Sequence, residues 1–383
     1  MKGVMMLVNY FPPLPTGGAE RQAERLATYM VTRSMPSGVI TRRVGPLPVH
    51  EIRDGFDVYR LKQFGPGKIK TFTFTIGAIL SLLRLRNTYD ILHAHLAFSP
   101  AIAAAIVGKM LRKVVIVKFG NSDSFGDIQR SQKTWRGRLR LAILRRWADA
   151  CVALDSEMEK EILAAGFSRE HVIRMNNGID TDRFKPCLDK ALAGTSLDLN
   201  LKDKTFILYT GRFVPQKALH LLLSAMKQAV SSCGDLHLLM VGNGEEREAL
   251  IRQAEELGIQ QHITFIDQVN DVRPYLDASH IFVLPSLAEG ISNSLLEAMS
   301  CGLACVATGV GGTTEVLDNG NYGILISPNN TEELANALIR LGRSAGERAR
   351  LGDLARQRIL DTYDFQVVGE QYHKLYLRLL GAK

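Results

Sequence analysis

The strongest constraint on this 383-residue chain is a rhythm in which short apolar runs alternate with helix-period stretches, over two separate spans. In the first span "GVMMLVNY", "FDVYRL", "DILHAH", "KVVIVKF", "ACVAL" and "HVIRM" read as strands. In the second, "FILYTGR", "HLLMVG", "ITFID", "IFVLPS", "ACVATG" and "GILISP" do so. Helical stretches lie between most of them, for example from Ala19 to Thr32 and from Pro100 to Leu111. Such alternation predicts parallel sheets with helices on both faces. It lapses over 179–204, "IDTDRFKPCLDKALAGTSLDLNLKDK", which has the composition of a linker. The expected architecture is therefore α/β, with two doubly wound, Rossmann-like domains at 1–178 and 205–362. A final helix over 363–383 carries apolar residues at 368, 372, 375, 376 and 379, and is expected to pack back on the first domain. Ligands of such sheets bind beyond the carboxyl ends of the strands, so a cleft between the domains is the expected site.

Five cysteines, an odd number with no C-x-x-C pair, argue for a reducing compartment and against a disulfide framework or zinc site. No run reaches the ~18 apolar residues of a membrane span, and "FTFTIGAILSLL" and "AIAAAIVG" suit buried helices. The opening "MKGVMMLVNYFPP" is too short in apolar residues for a signal peptide, so a cytoplasmic protein is expected. The net charge of +8 is unevenly spread. Residues 1–178 hold 27 Lys+Arg against 14 Asp+Glu, and the remainder 20 against 25. The basic half suits an anionic membrane surface, a phosphorylated substrate or nucleic acid.

The stretch "EGISNSLLE" sets Glu289 and Glu297 on either side of a helix start, after the strand "HIFVLPS". With Ser292 at the cap, the N–H groups of Asn293, Ser294 and Leu295 face outward at the positive end of the helix dipole, a phosphate site. Glu297 then lies about 7.5 Å along the axis, a reach that fits ribose hydroxyls, while Glu289 faces the other side of a diphosphate. Acids scattered by chance are the plainer alternative. In "YTGRFVPQK", Arg212 leaves a strand and Lys217 stands at the mouth of the next helix. Both are placed to neutralise a departing diphosphate, unless they are simply solvated bases. Gly17 and Gly18 follow the first strand and allow close backbone approach to a ligand. "DTD" at 180–182 has the form of a D-x-D metal motif but lies in the linker, so no metal is expected there. His93 reads as a core histidine, and His95, nearer the loop, as the better candidate to meet substrate.

With these residues in view, the chain resembles glycosyltransferase family 4, retaining enzymes of the GT-B fold that serve in cell-surface polysaccharide assembly. The likeness runs through "GGAE", "DILHAH", "ADACVALDSEM", "NNGID", "GRFVPQK", "EGISNSLLEAMSCGLACVATGVGGTTEV" and "YGILISP". It implies transfer of a sugar from a nucleotide-diphosphate sugar, UDP-linked by preference, to a glycan or polyprenyl-diphosphate-linked acceptor, with no metal and no cofactor. It places the donor on the second domain and the acceptor on the first. Arg212, Lys217 and Glu289 would be the catalytic set, and Glu297 would hold the ribose. The run Gly290, Ile291, Ser292, Asn293 and Ser294 would contact sugar and phosphate, with Gly17 and Gly18 closing over them. Gln268 and Val269 would meet the nucleobase, and His95 and Asn121 would lie on the acceptor side. Two departures stand out: Phe119 in "VKFGNSD" falls where many relatives carry a histidine, and Ala218 falls where they usually have glycine.

Two rival readings remain at this level, a non-catalytic nucleotide-sugar-binding protein and a nucleotide-sugar epimerase of the same fold. Nucleic-acid binding lacks any recognisable module. From Arg130 to Trp147 there are seven Lys+Arg and no acid, with Trp135, Leu139, Ile143 and Trp147 recurring every four residues. That stripe either packs on the sheet or faces an anionic membrane, which would make the enzyme peripheral on the cytoplasmic face.

Overall fold

The computed structural model describes residues 2–14, 18–120, 126–195, 197 and 204–382, and divides into two compact units, 1–178 with 365–383, and 179–364. Gly17 and Asn121 lie outside the described residues.

The first unit is built on strands β1 (Gly3–Leu7), β2 (Ser37–Arg42), β3 (His50–Arg53), β4 (Phe56–Leu61), β5 (Tyr89–His95), β6 (Val114–Lys118), β7 (Ala150–Ala153) and β8 (Val172–Arg174). They pair in the order β3-β4-β2-β1-β5-β6-β7-β8, and every pairing is parallel except the β3–β4 hairpin. The helices are α1 (Gly18–Thr32), α2 (Gly67–Arg84), α3 (Ser99–Leu111), α4 (Asp127–Gln132), α5 (Trp135–Trp147) and α6 (Ser156–Ala164). β2 and β3 fall in stretches that the alternation alone does not mark: β3 is an edge strand with half its residues exposed, and so lacks an apolar run.

The second unit carries α7 (Lys190–Thr195), β9 (Thr205–Thr210), α8 (Leu219–Ser232), β10 (Leu236–Val241), α9 (Arg247–Glu256), β11 (Ile263–Ile266), α10 (Arg273–Ala278) and β12 (Ile281–Leu284). It continues with α11 (Asn293–Ser300), β13 (Ala304–Thr308), α12 (Gly312–Val316), β14 (Ile324–Ile326), α13 (Thr331–Arg343) and α14 (Ala345–Arg358). The sheet is fully parallel, in the order β11-β10-β9-β12-β13-β14. Its strands are near-continuous apolar runs because both faces are covered by helices.

The last helix, α15 (Phe365–Gly381), completes the core of the first unit. Phe365, Val368, Tyr372, Leu375 and Tyr376 pack with Ala23, Leu26 and Met30 of α1 and with Val4, Met6 and Ile91 of the sheet. The two helices approach closely at Gly369, where a Cβ would stand 2.8 Å from the Tyr29 ring. Both units are therefore doubly wound Rossmann-like domains, with the C-terminal helix returned to the first.

Two expectations change. "FTFTIGAILSLL" lies in α2, yet only Phe74, Ala78 and Leu82 of that helix are buried. On α5 the buried residues are Gly137, Leu141 and Leu144, so the four-residue stripe is not the packed face. Trp135 and Leu139 are 64% and 54% exposed, while Ile143 and Trp147 are half-buried. "DTD" forms a turn: Asp180 Oδ1 accepts the backbone N–H of Asp182 (3.1 Å) and of Arg183 (2.9 Å).

Candidate active site

In the second sheet the chain winds one way from β9 through β10 to β11 and the other way from β12 through β13 to β14. The switch point lies between β9 and β12, where open α/β sheets hold ligands. The loop after β9 brings Arg212, exposed, and Lys217, half-buried in a single 3₁₀ turn at Pro215–Lys217. The loop after β12 brings Glu289, which is buried. The two loops are stitched together. Gln216 Nε2 donates to the Ala288 carbonyl (2.7 Å), the Leu287 N–H donates to the Gln216 carbonyl (2.9 Å), and Lys217 Nζ pairs with Glu289 Oε1. Ser286 Oγ donates to the same carboxylate (2.7 Å). Lys217 thus meets Glu289 directly, a pairing that the separate motifs did not indicate.

The same turn sets the conformation of Ala218. It links the 3₁₀ turn to α8 with φ +48°, the left-handed region that glycine occupies without cost.

α11 begins where expected, with Ser292 as its N-cap in extended conformation. However, the Ser292 hydroxyl pairs with Ser294 Oγ at 3.0 Å and makes no cap bond to the helix backbone. Gly290 and Ile291 are buried, Asn293 and Ser294 half-buried, and Glu297 is buried in the second turn. A second helix start, not singled out from the sequence, lies against this run: Gly312 opens α12, and a Cβ there would stand 2.8 Å from the Gly290 carbonyl oxygen. Thr313, next along, is 1% exposed, and its hydroxyl has no hydrogen-bond partner among the described residues. The signal was available in "GVGGTTEV", where paired glycines precede a hydroxyl residue. Gln268, exposed, and Val269, half-buried, sit in the loop after β11, the edge strand of the sheet.

In the first sheet the switch point lies between β1 and β5. Gly18 is the first residue of α1, after the β1 loop, and is exposed. His95 ends β5 but is buried, contrary to its expected place near the loop surface. Its ring packs on His93 with centroids 4.3 Å apart, and neither ring nitrogen has a hydrogen-bond partner among the described residues. His93 is the core histidine anticipated, with Nδ1 2.7 Å from the Tyr376 hydroxyl of α15.

Lys118, at the end of β6, was not foreseen. It is buried, donates to Asn177 Oδ1 (2.7 Å) and stands 5.7 Å from the centroid of the Tyr372 ring. Gln22, Leu26, His95, Lys118, Phe365 and Tyr372 line one small pocket. Burial pushes the lysine pKa down to about 7. Burial, reinforced by Lys118, pushes His93 down to about 3; burial with the His93 and Lys118 charges takes His95 well below the imidazole range. Phe119, the next residue, is fully buried edge-on to Phe167 (5.8 Å) and is a core side chain. Asp127 joins the loops after β5 and β6, accepting the N–H of Gly120 (3.0 Å) and of Ala97 (3.4 Å), and burial raises its pKa to about 6.

Two family profiles match in tandem, "Glycosyltransferase Family 4" over residues 16–183 and "Glycosyl transferases group 1" over 204–344. Among curated relatives, the N-acetyl-alpha-D-glucosaminyl L-malate synthase of Bacillus anthracis is 24% identical over 85% of this chain and 84% of its own. The UDP-Gal:alpha-D-GlcNAc-diphosphoundecaprenol alpha-1,3-galactosyltransferase of Escherichia coli is 28% identical over 69% of this chain and 70% of its own. Among solved structures, Anabaena HepE in complex with UDP-glucose superposes with a TM-score of 0.82 at 19% identity, covering 99% of this chain and 100% of that one. With two tandem parallel-sheet units and both profiles in register with them, this chain belongs to the family 4 glycosyltransferases and has the GT-B fold.

Proposed function

We propose that the protein is a retaining, metal-independent hexosyltransferase that moves a sugar from a UDP-sugar to a glycan or lipid-linked glycan in cell-surface polysaccharide biosynthesis. The second unit binds the donor and the first the acceptor. The observation that carries this reading is the convergence of Arg212, Lys217 and Glu289 at the β9/β12 switch point, beside the N-termini of α11 and α12. The names of the relatives support it: the Escherichia coli protein is a UDP-galactose-dependent transferase to a diphosphoundecaprenol-linked sugar, and HepE is complexed with UDP-glucose.

In this mechanism the acceptor hydroxyl oxygen bonds to the anomeric carbon from the face that the diphosphate leaves, so the configuration is kept. The bond from the anomeric carbon to the phosphate oxygen breaks with its electron pair on the phosphate, and the acceptor proton passes to that oxygen. Arg212 and Lys217 stabilise the charge that develops there, an electrostatic contribution that commonly amounts to ~10²–10³ in rate. A diphosphate entering beside Lys217 competes with Glu289 for the ammonium group, which frees that carboxylate to face the sugar. Glu297 holds the ribose, and Gln268 and Val269 the base.

A panel of nucleotide sugars, scored for nucleoside diphosphate release with and without a chelator, tests the reading. UDP release from at least one UDP-sugar, undiminished by chelator, is the expected result, and no release from any donor would overturn it. The anomeric configuration of the product, read by NMR, tests retention.

A further inference from the structure

α2 is apolar on two opposite sides. Phe74, Ala78 and Leu82 are buried. Ile69, Phe72, Ile76 and Leu80 are 56, 64, 42 and 62% exposed. At 3.6 residues per turn, their spacing of three, four and four residues sets them in one outward line. Phe64, in the loop before the helix, is 66% exposed, and its N–H donates to Thr73 Oγ1 (3.1 Å), which ties that loop to α2. An apolar helix stripe normally faces a partner, and contiguous exposed apolar surface marks a place of contact.

The charges choose the partner. Between Asp57 and Asp90 there is no acid, whereas Lys62, Lys68, Lys70, Arg84 and Arg86 are present. Lys68 and Lys70 adjoin Ile69 in sequence and so project to the two sides of the apolar line. α3 packs between α2 and α5. α5 adds the exposed Trp135 and Leu139, with Arg136, Arg138, Arg145 and Arg146 exposed beside them. Together α2, α3 and α5 contain nine Lys+Arg and no acid. A second copy of this chain would bring the same cations against one another. An anionic bilayer accepts both features at once, because the apolar side chains enter the headgroup–acyl boundary while lysine and arginine stems reach back to the headgroups.

We propose that this face, led by Ile69, Phe72, Ile76 and Leu80 with Trp135 and Leu139 beside them, seats the first unit on an anionic lipid bilayer. The inference deepens the lipid-linked acceptor reading and rests on it for its purpose. It also moves the leading contact from the basic helix α5, suggested by sequence, to α2.

The test is sedimentation of the full chain with phosphatidylcholine vesicles made with and without phosphatidylglycerol, donor absent. Wild-type protein should sediment with the anionic vesicles only, and salt should release it. The triple variant Phe72→Ser, Ile76→Ser, Leu80→Ser should lose about tenfold or more of that binding, as should Lys68→Gln with Lys70→Gln. Both should keep wild-type turnover on a soluble acceptor. Equal binding to neutral vesicles, or a triple variant that binds like wild type, would overturn the proposal. So would a wild-type dimer, formed without lipid, that the triple substitution dissociates. Turnover without vesicle binding sinks this inference alone; vesicle binding without turnover on any donor sinks the transferase reading alone.

Discussion

The two switch points in this molecule are built to the same plan and filled in opposite ways. Between β9 and β12 the polar groups stand on loops, stitched to each other and partly open: Lys217 to Glu289, Ser286 to Glu289, Gln216 to Ala288. At the carboxyl end of the first sheet, His93, His95, Lys118 and Asn177 are buried beneath α15. The first arrangement pairs its charges, Lys217 with Glu289. The second suppresses them, since burial holds both imidazoles neutral and lowers the lysine toward neutrality. On the proposed reading a diphosphate would meet exposed and half-buried cations on the open side, whereas the cluster in the first sheet presents none at the surface.

The largest expected effect strikes the open side. Lys217→Ala and Arg212→Ala should each lower turnover by ~10²–10³ with the circular dichroism spectrum unchanged. Lys217→Ala combined with Glu289→Gln should lose little more than either alone, because the two act as one unit. Near-normal steady-state rates for both single cation variants would remove the contrast between the two switch points.

Next in size is the buried side. Lys118 has its pKa pushed down to about 7 in the fold from 10.5. Between those values the unfolded chain binds the extra proton, so stability should climb with pH across that window, by up to about 1.4 kcal/mol per pH unit. The full cost persists below it. Lys118→Met should flatten this slope in denaturant titrations at pH 7 to 9. A slope unchanged by the substitution would mean that Lys118 is solvated and that the two sides differ less than drawn.

A smaller effect separates the two acids. Glu297→Ala should weaken nucleoside diphosphate binding by about tenfold, the loss of one charge-assisted hydrogen bond. Glu289→Gln should not weaken it, because Lys217 is then released to the phosphates. Calorimetry with UDP distinguishes them, and equal losses would contradict the assignment. Smallest is Ala218→Gly, which relieves a left-handed backbone but removes a buried methyl group; a net gain of about 1 kcal/mol or less is expected from the melting curve. A loss would show that the methyl packing outweighs the backbone strain.

What the sequence made legible follows from where partners lie along the chain. All six strands of the second sheet, and the helix start after "EGIS", are local signals carried by uninterrupted apolar runs and a cap residue. That Lys217 faces Glu289 depends on β9 lying beside β12, which the succession of strands along the chain does not reveal. Lys118, Asn177, His95 and Tyr372 come from four distant stretches, and no spacing announces them. The outward line on α2 misled because apolar content predicts burial, and content is silent about which side of a helix is covered.

The dependence of the first core on α15 has a consequence for how the chain is made. Val368, Tyr372, Leu375 and Tyr376 close the hydrophobic cluster around β1 and α1, and the Tyr376 hydroxyl pairs with Nδ1 of His93. These residues leave the ribosome only after the whole of the second unit. The half that emerges first must therefore wait, with its apolar sheet face open, while the second unit is translated. During synthesis the order of completion is the reverse of the order of appearance, and the nascent first half is the segment most exposed to aggregation or to a chaperone's grip.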